Sequence, residues 1–251
     1  MLRKIMVFGI LVAMGFSVYQ ICRIDGQYAD EEKTHDSLLA YKPPLLTAAP
    51  DAAPSPLVDY SKIFQAVIDA QTNLNADIVG WLTIPGTDVD YPFLQSSDNA
   101  FYLDRDPYKN KAVAGSIFMD FRNKKKIQDF NTILYGHHMK NGSMFGALLN
   151  FTNEVFFQSF SRGELVLNDC VYELEFFASL LISGGNEEIY GTINPPTTQR
   201  DAFLRYVKDT AKVYRELNVN ASDKIISLST CAYDFKNARL VVLARAQKIS
   251  V

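Results

Sequence analysis

Residues 228–245, LSTCAYDFKNARLVVLAR, place a cysteine and an arginine at the facing ends of two apolar segments. Cys231 ends the segment DKIISLSTC, residues 223–231, and Arg239 lies at the start of ARLVVLAR, residues 238–245. Both segments are rich in aliphatic and β-branched residues, which favours β-strands. The short connection between them predicts an antiparallel hairpin with the thiol and the guanidinium near its turn.

The register of this predicted hairpin follows from its midpoint. Residues 232–238 form the connection, and a hairpin centred on Phe235 makes Cys231 and Arg239 direct cross-strand partners. Such partners hold their Cβ atoms about 4.5–5.5 Å apart on one face of the sheet. Strand alternation also puts Ser227 and Ser229 on the face of Cys231. We therefore expect the thiol and the guanidinium to face the same small volume.

The rest of the chain predicts a mostly β fold. Strand-like segments recur at residues 78–95, 114–121, 131–138 and 163–182, and Pro85-Gly86 interrupts the first of them as a hairpin turn would. Many short strands with few helices favour a closed β-barrel of about eight strands. Apolar residues at helical spacing predict an N-terminal helix over residues 58–75 and a helix inserted before the Cys231 strand, over residues 197–217.

The amino-terminal segment predicts a membrane anchor. After the basic residues Arg3 and Lys4, residues 5–22 carry no charge, and a helix of that length spans roughly 27 Å. We expect a cytoplasmic tail at residues 1–4, a transmembrane signal anchor at 5–22 and a Pro- and Ala-rich flexible linker at 23–57. The folded domain, 58–251 with its barrel at 76–251, would lie on the extracellular face of the cytoplasmic membrane as part of a single-pass protein. A cleaved signal peptide is the alternative.

Composition excludes several classes of function. The net charge is −3 and no basic stripe with interleaved aromatics occurs, so no nucleic-acid partner is expected. The three cysteines, Cys22, Cys170 and Cys231, show no disulfide framework, and Cys170 fits a buried apolar position. No metal-ligand spacing is present, and we expect neither a metal nor a cofactor.

A cysteine beside a cation suggests nucleophilic catalysis, which needs an acid–base partner. A nearby cation lowers the pKa of a thiol or binds the oxyanion of an acyl-transfer intermediate. His35 lies in the predicted linker, whereas His137 and His138 follow a strand-like segment after Gly136. Adjacent residues of a strand point to opposite faces, so only one of these two histidines can serve the site. Each residue alone has an ordinary structural explanation, and the combination favours a site.

Four segments resemble the sortase family. LSTC followed by an arginine on the next strand resembles the T-x-T-C…R signature of sortases, and YGHHMKNGSMF, residues 135–145, resembles their histidine segment. Residues 80–106, GWLTIPGTDVDYPFLQSSDNAFYLDRD, and residues 115–123, GSIFMDFRN, are similar to segments of class B sortases. The resemblance covers residues 58–251 and extends to the predicted anchor and linker.

This resemblance implies a cysteine transpeptidase on the outer face of a Gram-positive cytoplasmic membrane. Its partners would be surface proteins with a C-terminal sorting signal and an amine of a peptidoglycan precursor. It would cleave an N-P-x-T-x-like signal after Thr and transfer the Thr carboxyl to that amine. Cys231 would be the nucleophile, His137 the general acid and base, and Arg239 the group that binds the oxyanion or orients the substrate.

The resemblance also implies a peptide groove lined by Asn99, Leu103 and Ser229. Ser229 stands where the family signature has its first Thr, which is a mild departure.

Other cysteine enzymes and a non-catalytic role remain as alternatives. L,D-transpeptidases carry an Arg two residues after the Cys, where this chain has Tyr233. Papain-like enzymes place the Cys before the His in the chain, and here His137 precedes Cys231. A non-catalytic binding or scaffold domain with a sortase-like barrel is compatible with the sequence.

Overall fold

The computed structural model of the chain describes residues 2–45 and 59–249. Two compact units are present, Met1–Ala40 and Tyr41–Val251. The first unit is dominated by α1, Leu2–Leu38, which is followed by a 3₁₀ turn at Leu39–Tyr41. Residues 23–38 of the predicted linker therefore belong to a helix, and residues 46–57 of that linker lie outside the described residues.

The predicted single-pass membrane location is wrong. None of the helices within residues 2–45 and 59–249 combines the length and the apolar character that crossing a bilayer requires. A span needs about 20 consecutive, mostly apolar residues.

The second unit contains nine strands and four helices in its described part. The strands are β1 Ile78–Thr83, β2 Asp90–Leu94, β3 Ile117–Met119, β4 Asn131–Tyr135, β5 Arg162–Leu167, β6 Val171–Ser183, β7 Val213–Tyr214, β8 Lys224–Cys231 and β9 Ala238–Lys248. The helices are α2 Tyr60–Asn73, α3 Glu154–Ser159, α4 Glu187–Tyr190 and α5 Thr197–Thr210, with 3₁₀ helices at Phe101–Leu103 and Gly146–Thr152.

Eight of the strands close into a barrel. The sheet order is β5-β1-β2-β3-β4-β8-β9-β6-β7, and β5 also pairs with β6, which joins the two sides. The long strand β6 makes this possible because its first residues, Val171–Glu175, pair with β5 while most of its length pairs with β9. The β2–β3 and β4–β8 pairs are parallel, and the other pairs are antiparallel. The predicted mostly β class, with a closed barrel of about eight strands, is confirmed.

The N-terminal helix α2 packs through one apolar stripe. Ile63, Val67 and Ala70 recur at helical spacing and are each at most 2 % exposed. Ala70 belongs to a buried cluster with Ile78, Leu94 and Phe118 of the barrel wall and with Tyr102 of the 3₁₀ helix Phe101–Leu103. The predicted N-terminal helix is thus present, and its burial ties it to β1, β2 and β3.

The inserted helix α5 is shorter than its apolar pattern predicts. It ends at Thr210, because Ala211 has extended backbone angles and the amide of Lys212 donates to the Ser179 carbonyl of β6 at 2.8 Å. Val213 and Tyr214 then pair with β6 as strand β7. A β-branched and an aromatic residue suit the free edge of β6 as well as they suit a helical stripe, so periodicity alone assigned them to the wrong element.

We predict that Phe203→Ala in α5 lowers the free energy of unfolding by about 3–5 kcal/mol. Phe203 is 4 % exposed and its ring centroid lies 5.4 Å from that of Phe130 in the barrel. Truncation leaves a cavity where α5 meets the sheet. Urea unfolding measures the loss, and Arg205→Ala on the exposed face of the same helix serves as control. A loss below about 1 kcal/mol, no larger than an average substitution causes, would show that α5 adds little to barrel stability.

Candidate active site

The β8–β9 hairpin places Cys231 opposite Arg239. The antiparallel register runs from Lys224↔Ala246 to Cys231↔Arg239, its last pair. Beyond it, the amide of Ala232 donates to the carbonyl of Ala238 at 3.0 Å and closes the loop. The predicted cross-strand pairing is confirmed, and it rests on a local feature, the length of the connection.

The other neighbour of β8 brings His137 to Cys231. Strands β4 and β8 are parallel and their register ends with Tyr135↔Ser229. The amide of Gly136 donates to the carbonyl of Ser229 at 3.1 Å, which extends the pairing past the end of β4. Continuing the same register by two residues sets His137 beside Cys231. Neighbouring strands lie about 4.7–4.9 Å apart, so this extended register sets the three residues in a row that runs from the segment after β4 across β8 to β9.

Gly136 is needed for the chain to reach that position. A Cβ atom at Gly136 would lie 2.6 Å from atoms of the Phe145 ring, which is fully buried. The amide of Phe145 in turn donates to the carbonyl of His137 at 3.0 Å. The backbone carrying His137 is therefore held on both sides, by β8 and by the segment after His138.

One cavity collects all the residues expected at the site. It has a volume of about 320 Å³ and is lined by Asn99, Leu103, His137, Ser229, Cys231 and Arg239. The aromatic residues Phe118, Tyr135 and Tyr190 also line it. His138 does not line this cavity. Its ring centroid lies 5.2 Å from that of Tyr233, in the loop after Cys231.

The protonation and charge of His137, Cys231 and Arg239 suit chemistry on an acyl group. Cys231 is a free, partly exposed thiol. The pKa of His137 lies below its ordinary value because the ring is partly withdrawn from water. Arg239 donates to the Ala238 carbonyl at 3.0 Å, and no carboxylate among the described residues forms a salt bridge with it. Its positive charge is therefore free to interact with a developing anion.

The three expected groove residues differ in how they face the cavity. Leu103 is 58 % exposed and offers an apolar surface at the rim. The Ser229 hydroxyl lies 2.8 Å from the Tyr190 hydroxyl. The Asn99 amide donates from Nδ2 to Asp120 at 3.0 Å and accepts at Oδ1 from the Phe121 amide at 2.9 Å. The polar ends of Ser229 and Asn99 are thus held by the protein itself.

Sequence reasoning missed the groups that hold these residues. Tyr190, at the end of α4, and the buried Asp120, directly after β3, make side-chain contacts with the cavity wall. No spacing rule connects residues 99, 120, 135 and 190, because their proximity arises only when the barrel closes. Among the described residues, no group of three or more His, Cys, Asp or Glu side chains is placed to hold a metal ion.

The chain is similar to curated proteins named sortase B. It is 41% identical to sortase B of Listeria monocytogenes over 176 residues, covering 67% of this chain and 69% of that protein. It is 35% identical to sortase B of Staphylococcus aureus over 179 residues, covering 70% and 73% of the two chains. No protein-family profile matches the chain.

Solved structures show the same fold. The sortase B structure from B. anthracis superposes with a TM-score of 0.72 at 34% identity, over 89% of this chain and 99% of that one. A Staphylococcus aureus sortase B–substrate complex superposes with a TM-score of 0.69 at 32% identity, over 74% and 86%. Sortase B of Clostridium perfringens gives 0.68 at 32% identity, over 72% and 99%.

We predict that the His137 ring titrates below pH about 6.5, its ordinary midpoint. Withdrawal from water disfavours the imidazolium, so the lowered pKa keeps the ring neutral to a lower pH. The Cε1 proton signal, assigned by its loss in His137→Gln, measures the midpoint by NMR. The midpoint should be nearly the same in Cys231→Ala. A wild-type midpoint above 6.5 that falls in Cys231→Ala would instead show that a neighbouring thiolate dominates.

Proposed function

Since the chain belongs to the class B sortases, cysteine transpeptidases that process sorting signals, we propose that it cleaves an N-P-x-T-x-like signal after Thr. The acyl part is carried as a thioester on Cys231 and passes to an amine of a peptidoglycan precursor. The observation that supports this most is the arrangement of the site: Cys231 pairs with Arg239 across the β8–β9 hairpin, and His137, two residues after the end of β4, lines the same cavity.

In the first step the sulfur of Cys231 attacks the Thr carbonyl carbon. The thiolate is the reactive form of a cysteine, and as it forms, the thiol proton passes to the neutral ring of His137. The resulting tetrahedral intermediate collapses when the C–N bond breaks, and His137 gives a proton to the departing amine. The products are a thioester on Cys231 and the released C-terminal part of the signal.

Arg239 stabilises the negative oxygen of that intermediate. Its guanidinium faces Cys231 across the hairpin and carries no carboxylate partner among the described residues. A preorganised donor of this kind typically contributes about 10²–10³ in rate. The same charge can orient the Thr carbonyl before attack.

The second step reverses the proton movement. Neutral His137 takes a proton from the acceptor amine as its nitrogen attacks the thioester carbon. The C–S bond breaks, Cys231 is regenerated, and a new amide joins the Thr carboxyl to the acceptor. Water competes as a nucleophile, so an amine held beside the thioester gains from proximity.

The peptide lies in the cavity next to this row. The exposed Leu103 packs against an apolar part of the signal, while Asn99 and Ser229 contribute to the polar wall. The proteins that carry such a signal are the substrates. Residues 58–251 form the catalytic domain, which corresponds to most of the compact unit Tyr41–Val251.

We predict that Cys231→Ala and His137→Ala each abolish cleavage of an N-P-x-T-x peptide by the full chain. The first change removes the sulfur nucleophile, and the second removes the group that protonates the departing amine. Fluorescence of a quenched peptide measures the rate. His138→Ala is the matched control and should keep most of the activity, because its ring does not line the cavity.

Two outcomes would contradict the proposal. Equal rates for the wild-type chain and Cys231→Ala would mean that the domain is not catalytic toward this signal. Loss of activity in His138→Ala with retention in His137→Ala would assign the acid–base role to the other imidazole.

A further inference from the structure

Asp120 is a buried carboxylate beside the cavity with no part in the proposed chemistry. It follows β3 directly, and its side chain is 0% exposed. A charge withdrawn from water is costly unless hydrogen-bond donors surround it. The arrangement of those donors is therefore informative about what Asp120 does.

Three residues supply the donors. Oδ1 accepts from the backbone amide of Arg122 at 3.0 Å and from its Nε at 2.8 Å. Oδ2 accepts from Nη2 of Arg122 at 2.7 Å, from Nδ2 of Asn99 at 3.0 Å and from the Tyr135 hydroxyl at 3.0 Å. Burial favours the neutral acid, but these bonds outweigh it and lower the pKa of Asp120. The carboxylate is charged and fully engaged.

Two of these donors belong to the cavity wall. Asn99 and Tyr135 both line the cavity, and both donate to Oδ2 of Asp120. Asp120 takes one hydrogen of the Asn99 amide, while the Phe121 amide donates to its oxygen. The amide is thereby fixed in one orientation, with a single N–H left to meet a peptide carbonyl.

The third donor, Arg122, extends the network to Tyr190, which also lines the cavity. Nη2 of Arg122 also donates to the carbonyl of Tyr190 at 2.8 Å. The Tyr190 hydroxyl lies 2.8 Å from that of Ser229, and its ring stacks on Tyr135 with centroids 6.3 Å apart. One carboxylate therefore connects the segment of Asn99, the end of β4 and the helix α4.

A buried ion pair is weak evidence for stability, since apolar residues of similar size often serve as well. An apolar residue could not hold Asn99 and Tyr135, which line the cavity, and Arg122 in fixed directions through hydrogen bonds. This favours a role in arranging the groove over a role in barrel stability alone.

We propose that Asp120 is a positioning residue for the bound sorting peptide. It does not touch the substrate. It orients Asn99 and Tyr135 directly, and Tyr190 through Arg122, so that the groove is formed before the peptide arrives. The proposal rests on the proposed function and adds to it the group that preorganises peptide recognition.

The test is Asp120→Asn in the full chain. Asn keeps the shape but directs an NH₂ group at donors that require an acceptor. We expect KM for the N-P-x-T-x peptide to rise about tenfold, the effect of losing one charge-assisted hydrogen bond, with a much smaller change in kcat. Alkylation of Cys231 by iodoacetamide, which needs no groove, should proceed at the wild-type rate.

Asp129→Asn is the matched control. Asp129 is 3% exposed and accepts hydrogen bonds from Asn123 and from the Lys124 amide. Neither partner lines the cavity. The control should keep the wild-type KM, so a rise limited to Asp120→Asn supports positioning. An unchanged KM in Asp120→Asn, or an equal rise in both variants, would overturn it.

Two further measurements cover the remaining outcomes. Should Asp120→Asn fail to fold, Tyr135→Phe removes one donor to the same carboxylate; a raised KM supports the proposal and an unchanged KM overturns it. If the wild-type chain does not cleave the peptide, the proposed substrate is wrong. The role of Asp120 is then tested by the rate at which the side-chain amide protons of Asn99 exchange with solvent, measured by NMR. Faster exchange in Asp120→Asn than in wild type supports the proposal, and equal exchange overturns it.

Discussion

The register of three neighbouring strands, β4, β8 and β9, is the constraint on which the site depends. Cys231 ends β8, and the hydrogen-bond ladder on one side pairs it with Arg239. The parallel ladder on the other side, extended by the Gly136 amide, leads to His137. A slip of one residue in either ladder would turn one of these side chains to the opposite face. Closure of the barrel through β5 and β6 keeps the ladders in place.

The two charged side chains near the cavity, Arg239 and Asp120, differ in whether they have partners within the protein. Arg239 has no carboxylate partner among the described residues, so its charge remains available to a reacting carbonyl. Asp120 accepts hydrogen bonds from several donors, so its charge holds neighbouring protein groups in place. Preorganised, unpaired charge suits stabilisation of an intermediate, whereas a satisfied buried charge suits the fixing of neighbouring side chains.

Local features of the fold were predictable from sequence, and non-local features were less so. The Cys231–Arg239 pairing followed from a connection of fixed length between two strand-like segments. The approach of His137 to Cys231 depends on a parallel pairing of distant segments. The sequence offered His137 or His138 as the partner of Cys231, and only the family resemblance chose between them. The end of α5 was missed because Val213 and Tyr214 suit a strand edge as well as a helix. The apolar start of the chain suggested a membrane span that the described helices do not provide. The Asp120 network joins residues far apart in the chain, and no sequence pattern marks it.

Direct detection of the acyl-enzyme tests the central claim most closely. The full chain is mixed with an N-P-x-T-x peptide without an acceptor amine, quenched in acid, digested and analysed by mass spectrometry. The row of residues predicts an added mass equal to the acyl part of the peptide on the fragment that contains Cys231, removable with hydroxylamine. Cleavage of the peptide with no such adduct, or with the adduct on Cys170, would contradict the account.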